Sequence, residues 1–294
     1  MKRVLICTNP ARDPGLKFTK QAAELLRADG YETSLTFPFP SDTTDTAATG
    51  MHYSEISEAV RQADIMLCLG GDGTILHIAR HAAYRDLPII TVNLGHLGFI
   101  CELDESELAI LRELKKENYT VERRMMLDVN VRREGKTAYH RVALNEATFH
   151  RGAVSRLIGL RLSFNGTVIF DDLRGDGLLV ASPTGSTGYT LSAGGPIMEP
   201  NSQAMIVTPI CAHNMRAGSF VLLPEDVVTV DAIEEKRSNG FLCVDGGKAF
   251  PLREGDRVEI RRSRYALSLL RLTNRKFYDD CGRKMITGGY NYEK

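Results

Sequence analysis

The run LCLGGDGTIL, residues 67 to 76, sets one carboxylate among three glycines where an apolar strand-like stretch passes straight into a helix-like pattern. Glycines at the carboxyl end of a strand let backbone N–H groups approach an anion with no Cβ in the way. The following helix turns its positive end to the same point, which makes phosphate the natural ligand. Asp72 would repel that phosphate, so its presence asks for a purpose. Two chemical purposes fit: accepting a proton from an attacking hydroxyl, or holding a phosphate-bound Mg²⁺. A third reading has Asp72 only capping the helix. The turn is neither Gly-x4-Gly-Lys-Ser/Thr nor Gly-x-Gly-x-x-Gly, and neither pattern occurs in the chain.

Other polar stretches stand at the ends of apolar runs. NLGHLGF (93–99) is a glycine-rich loop, and LNEATF (144–149) carries the adjacent pair Asn145-Glu146. SPTGSTGYTLSAGG, within 174–200, is too polar for a core and too glycine-rich for a helix. Its hydroxyls suit many short hydrogen bonds to one ligand, with Thr184, Thr187 and Tyr189 in contact. It lacks the Gly-x-Ser-x-Gly order of a hydrolase elbow. Arg174 opens this long stretch; Asp176 stands at the start of a strand, placed to organise the site or touch substrate. The seven histidines, His213 included, form no cluster with Cys or carboxylates in sequence, so no fixed metal site is expected.

The elements that must position these residues change character along the chain. Up to about residue 115, apolar strands alternate with helices: RVLICT, DIMLCLG and LPIITVN read as strands of a parallel sheet covered on both faces. LKFTKQAAELLRADG places Leu16, Thr19, Ala22, Ala23 and Leu26 on one helical face and stops at Gly30. YSEISEAVRQA is a short helix. TILHIARHAAY is a longer one, with Ile75, Leu76, Ile78, Ala79 and Ala82 inward. Residues 36–52, rich in Thr and Pro, read as a mobile loop. From about 120 the pattern is short strands, with FNGTV and VDGGKAF as tight hairpins. The reading is therefore 1–120 as an α/β domain, 121–270 as a β-rich domain, and 271–294 as a tail packing back on the first domain.

Composition narrows the classes further. Lys+Arg and Asp+Glu both number 37, so no global basic field draws nucleic acid or an anionic membrane, and neither is expected as a partner. A 43% hydrophobic content supplies a packed core. Six cysteines show no CxxC spacing, and Cys7, Cys68 and Cys243 lie in apolar runs as small buried hydrophobes. The amino terminus has too short an apolar run for a signal peptide, and a cytoplasmic location is expected.

GGDGT resembles the signature shared by NAD kinases, diacylglycerol and sphingosine kinases and, more loosely, phosphofructokinases. NLGHLGF, LNEATF, RGDGLLVASPTGSTGYTLSAGGPIMEP and VTPICAH follow in the order of the NAD kinase family, so the resemblance spans nearly the whole chain. It implies a Rossmann- or phosphofructokinase-like α/β domain followed by a β-sandwich-like domain. It implies transfer of the γ-phosphate of ATP, or of another donor, to the 2′-hydroxyl of the adenosine ribose of NAD, in a cleft between the domains. By the same resemblance Asp72 is the base, and the amides of Gly71, Gly73 and Thr74 cradle phosphate. Asp72, Gly73, Phe99, Asn145, Glu146, Arg174, Asp176, Thr184, Thr187, Gly188 and Tyr189 line the NAD site. Mg²⁺ arrives with the triphosphate, and a homo-oligomer, dimer or tetramer, is expected. Two positions depart from the family: Gly188 stands where TGSTAY has alanine, and Gly218-Ser219 where an Arg-Pro pair is usual. A lipid kinase and a non-catalytic nucleotide-binding regulator are the alternatives.

Overall fold

A computed structural model describes residues 2–39, 46–95, 98–152, 157–213, 218–233 and 240–287. The chain forms two compact units, one of residues 1–123 with 267–294 and one of residues 124–266.

The first unit begins β1 (Arg3–Thr8), α1 (Lys17–Ala28), β2 (Glu32–Thr36), β3 (His52–Tyr53), α2 (Ile56–Ala59), β4 (Ile65–Gly70), α3 (Asp72–Ala83) and β5 (Ile89–Asn93). A two-residue β6 (Leu103–Asp104) leads into a 3-10 helix, Glu105–Leu114. The strands are parallel in the order β3-β2-β1-β4-β5. β4 and β5 are buried along their whole length, as continuous apolar runs require when both faces are covered. Helix α1 buries Thr19, Ala22, Ala23 and Leu26, and the chain leaves it through Gly30 at φ 92°. Helix α2 is shorter than the sequence pattern suggests, closing after one turn. In α3, Thr74 shares the inward face with Ile75, Ile78, Ala79 and Ala82, while Leu76 is only half buried. Residues 40–45 of the Thr/Pro-rich segment lie outside the described residues; Ala47–Thr49 is a 3-10 turn leading to β3.

The second unit follows with β7 (Thr120–Arg133), whose first residues belong to the first unit, then β8 (Lys136–Ala143), β9 (Glu146–His150), β10 (Ile158–Phe164), β11 (Thr167–Gly175) and β12 (Gly177–Ala181). After the 3-10 turn Thr184–Thr187 come α4 (Tyr189–Ser192), β13 (Met205–Ile210), β14 (Phe220–Leu222), β15 (Val228–Ala232), β16 (Phe241–Val244), β17 (Phe250–Pro251) and β18 (Arg257–Arg271). One sheet carries β11-β10-β15-β18 with the β7–β8 hairpin, and the other runs β14-β13-β12-β9-β16-β17. Alternate residues of both sheets, among them Ala147, Phe149, Leu178, Val180, Val230 and Ile260, meet in one core. This is a β-sandwich. Each such large side chain contributes roughly 1.5–3 kcal/mol by leaving water. The two hairpins are built as their sequences require: Asn165 and Gly166 have φ of 49° and 80°, Asp245 and Gly246 of 48° and 65°.

The division at 266/267 falls inside β18. Its early residues pair with β15, and Leu269 pairs with Ile89 of β5. Leu270 and Leu272 join the core of the first unit, and α5 (Phe277–Thr287) belongs to that unit as well.

Candidate active site

In the first unit the strand order changes direction between β1 and β4, the switch point where open α/β sheets bind ligands beyond their carboxyl ends. Both strands end there. The Asn9 amide, just after β1, donates to Leu69 O at 3.0 Å, and Asn9 Nδ2 lies 3.4 Å from Thr74 Oγ1. Gly70 gives Thr74 its place, since a Cβ at residue 70 would stand 2.5 Å from Thr74 Oγ1.

Asp72 is the first residue of α3, two positions earlier than the apolar pattern marks, but it does not cap that helix. Its carboxylate turns to the segment after β5: Phe99 N–H donates to Oδ2 at 2.7 Å and Ile100 N–H to Oδ1 at 3.2 Å. Cys101 Sγ adds a weaker contact at 3.7 Å. Gly98 makes this approach possible, because a Cβ there would stand 2.0 Å from Asp72 Oδ1. The capping alternative is thereby replaced by a carboxylate fixed across the turn, with lone pairs left for a further donor.

The expected phosphate cradle needs one correction. The Thr74 amide donates to Gly71 O at 2.9 Å, as the first turn of the helix demands, so it is already used. Among the described residues, nothing lies within 4 Å of where a side chain would begin at Gly71 or Gly73. Sequence reading misses two residues here, Asn9 and Arg12. The exposed Arg12 guanidinium lies against Gly95, 3.4 Å from its would-be Cβ. The signal was TNPAR directly after the first strand, and it becomes legible only when the strand order sets it beside the turn. Phe99 is half buried, its ring centroid 6.5 Å from that of Phe277 in the same unit. His96 and Leu97 of NLGHLGF lie outside the described residues.

In the second unit, the amides of Leu144, Asn145 and Glu146 all donate to the Asp245 carboxylate, at 2.7, 2.8 and 3.0 Å. Ser182 N–H donates to Asn145 O at 2.8 Å. Gly185 then passes so close that a Cβ would meet that carbonyl at 2.4 Å. The backbone of the Asn-Glu pair is thus fixed on two sides, while Asn145 Oδ1 and Glu146 Oε2 are buried with no hydrogen-bond partner among the described residues. Burial first, and the Asp245 charge second, push the Glu146 carboxyl from 4.5 up to about 7. Such open acceptors in a folded interior are costly unless something else supplies the donors.

Gly188 borders the same place. Its φ is −94°, and a methyl there would make ordinary contact with Asn145 Nδ2, Gly185 O and Glu146 Oε2, at 3.4, 3.4 and 3.5 Å. Thr184 is buried, its Oγ1 accepting from Arg124 Nη1 at 3.3 Å, and Thr187 Oγ1 donates to Thr184 O at 3.3 Å. Tyr189 is exposed and stacks on His150, centroids 6.1 Å apart. Arg174 and Asp176 are not brought to this group. Asp176 pairs with Arg151 at 3.2 Å, and Arg174 Nε with Asp172 at 2.6 Å. Glu146 is in register with Ala181 at the far end of β12 from Asp176, five strand positions or about 17 Å away. Asp245, Arg124 and His150 escape sequence reading; VDGG announces a hairpin and says nothing of which amides its Asp would collect. Ser219, where the family's Arg-Pro would be, shares a hydrogen bond with Thr208 at 3.0 Å. Residues 214–217, between it and VTPICAH, lie outside the described residues.

Among the described residues, no group of three or more His, Cys, Asp or Glu side chains converges as a metal cage. No helix of those residues is long and apolar enough to cross a membrane.

Comparison with known proteins identifies the family. Residues 4–118 match the model of the ATP-NAD kinase N-terminal domain, and residues 144–272 that of the ATP-NAD kinase C-terminal domain. The chain belongs to the ATP-NAD kinase family. The NAD kinase of Natranaerobius thermophilus is 37% identical over 290 residues, covering 98% of this chain and 99% of that protein. The NAD kinase of Acetivibrio thermocellus is 34% identical over 292 residues, again with 98% and 99% covered. Among solved structures, yeast NADH kinase complexed with NADH superposes with a TM-score of 0.82 at 23% identity, over all of this chain and 89% of that one. An NAD kinase from Archaeoglobus fulgidus in complex with ATP gives 0.73 at 24% identity, over 97% and 99%. These two likenesses show the fold: a parallel α/β sheet followed by a β-sandwich.

Proposed function

We propose that this chain transfers the γ-phosphate of ATP to the 2′-hydroxyl of the adenosine ribose of NAD, making NADP. Membership of the ATP-NAD kinase family supports a phosphotransferase that uses these substrates. The observation that carries the reading to the residues is the pair of buried acceptors, Asn145 Oδ1 and Glu146 Oε2, left open on a backbone clamped by Asp245. They suit what adenosine offers, an amino group and ribose hydroxyls. A diacylglycerol or sphingosine acceptor would ask for apolar surface there instead.

In the proposed reaction the 2′-oxygen attacks the γ-phosphorus in line. The new O–P bond forms as the bond to the bridging β–γ oxygen breaks and ADP leaves. Asp72, held by Phe99 and Ile100, takes the hydroxyl proton, and the open backbone at Gly71 and Gly73 receives phosphate oxygens. The donor set fits an ion carried by the triphosphate: Asp72 is a single carboxylate with spare lone pairs, not a cage. When bound, Mg²⁺ would neutralise phosphate charge. Rate enhancement then comes mainly from positioning and from charge stabilisation. Thr184, Thr187, Gly188 and Tyr189 border the nucleotide, and Phe99 supplies an apolar wall. A cytoplasmic location and a homo-oligomer, dimer or tetramer, complete the reading.

The direct test incubates purified protein with Mg-ATP and either NAD or diacylglycerol. NADP formation supports the proposal; phosphatidate formation alone, or binding of nucleotide without turnover, refutes it.

A further inference from the structure

Arg271, the last residue of β18, has little exposed surface and three partners in its own unit. Its Nε donates to Glu122 Oε2 at 2.7 Å, and its Nη1 to Glu102 Oε2 at 3.0 Å and to Ile100 O at 3.3 Å. Glu102 is itself buried, and its other oxygen accepts from the amides of Leu272 and Thr273, at 3.0 and 2.8 Å, and from the Thr273 hydroxyl at 2.7 Å. Arg275 reaches back to Glu102 O at 3.0 Å and pairs with Glu107. Ile100 is the junction. Its carbonyl accepts from Arg271, and its N–H donates to Asp72 Oδ1.

We propose that Arg271 is a positioning residue for the Asp72 carboxylate, acting through the backbone of Ile100. The inference rests on the reading of Asp72 as the base. Two carboxylates fix the guanidinium plane, and Nη1, which bonds Glu102, is shared with the Ile100 carbonyl. That carbonyl and the N–H that reaches Asp72 sit on one residue, so a shift at one end displaces the other. The segment 98–102 is thereby held from two sides, by Asp72 at the turn and by the carboxyl-terminal stretch at its back. The ring of Phe277 beside Phe99 adds an apolar contact from that same stretch. A displacement of about 1 Å in a reacting group is enough to cost up to ~10²-fold in rate, which is why such a support matters.

The test uses the full chain, with Arg271→Gln and Arg271→Lys each made alone and with Asp72→Asn. The measurements are kcat, KM for NAD and for ATP, and amide hydrogen exchange across residues 98–104. Arg271→Gln is expected to lower kcat at least ~tenfold with both KM values within ~threefold, the mark of an interaction needed in the transition state. Exchange at the Phe99 and Ile100 amides should quicken, and Arg271→Lys, which keeps the charge, should recover part of both effects. With Asp72 already replaced by Asn, Arg271→Gln should cost less than ~threefold, because the group it positions is gone. Additive losses, or lost activity with unchanged exchange at Phe99 and Ile100, overturn the inference. Should Arg271→Gln fail to fold, Arg271→Lys and Glu122→Gln carry the same cycle. Near-normal turnover of Asp72→Asn removes the base reading and this inference with it. A crippled Asp72→Asn with additive losses removes this inference alone.

Discussion

Each unit holds a carboxylate at its candidate site, Asp72 in one and Glu146 in the other, and the fold treats them in opposite ways. Asp72 is given donors: two backbone amides reach its oxygens, and Gly98 clears the approach. Glu146 is denied them. Its neighbour Asp245 collects the surrounding amides, and Glu146 Oε2 is buried with no partner among the described residues. A carboxylate satisfied by backbone is stiff and already placed, which suits a group that must meet a reacting proton. A carboxylate left open in a dry place is unstable until a ligand brings a hydroxyl or amine, which suits recognition. In the proposed reading the same chemical group serves chemistry in one unit and selection in the other, because of what the backbone supplies.

The sharpest way to break this contrast is at Asp72. Asp72→Asn should lower kcat by at least ~10²-fold, the scale of general-base catalysis, while the NAD dissociation constant stays within roughly tenfold. Steady-state kinetics beside equilibrium binding decide it, and near-normal turnover would sink the assignment. On the recognition side, Asn145→Ala should weaken NAD binding by roughly 1–3 kcal/mol and ATP binding far less. Calorimetric titration with each nucleotide checks this; equal losses would point to a damaged fold.

Glu146 tests the electrostatic half of the comparison. Burial and the Asp245 charge raise its carboxyl from 4.5 to about 7. The folded chain therefore holds a proton that the unfolded chain has released. The stability this proton confers is fully present below about pH 4.5 and lost as pH rises through about 7. Glu146→Gln should remove that dependence. Ligand-free wild type should lose on the order of 2–3 kcal/mol more than the variant between pH 5 and pH 8, measured by urea unfolding at both pH values. Parallel curves would mean that Glu146 does not carry the burden assigned to it.

The smallest effect is expected at Gly188. Its negative φ and the ordinary contacts around a would-be methyl predict that Gly188→Ala changes kcat/KM by less than ~tenfold. It should add about 0.4–1 kcal/mol of stability by restricting the unfolded chain. A ~100-fold loss in a variant that melts normally would show that the nucleotide comes closer to this backbone than the open acceptors require.

Much of this molecule is written locally. Periodicity placed α1, β4, α3 and β5, because an apolar stripe has only one way to leave water; Asn165-Gly166 and Asp245-Gly246 fixed two hairpins, because both residues tolerate positive φ. Gly71 and Gly73 of GGDGT leave the backbone of the turn open for the same local reason, and the longer motifs declared the family. What sequence alone left open were the partners of each charged group. Whether Asp72 caps its helix or turns away depends on Phe99 and Ile100, 27 and 28 residues distant. That Glu146 stays open depends on Asp245, 99 residues away, and the hold on Ile100 comes from Arg271, 171 residues away. Asn9 and Arg12 joined the turn only through the order of strands in the sheet, and Arg174 and Asp176 left the Asn145-Glu146 pair only through the register of β9 on β12. Local sequence sets dihedral preference and which face is apolar, because those depend on near neighbours. The state of a buried charge depends on every donor within reach, and only the folded chain decides which donors those are.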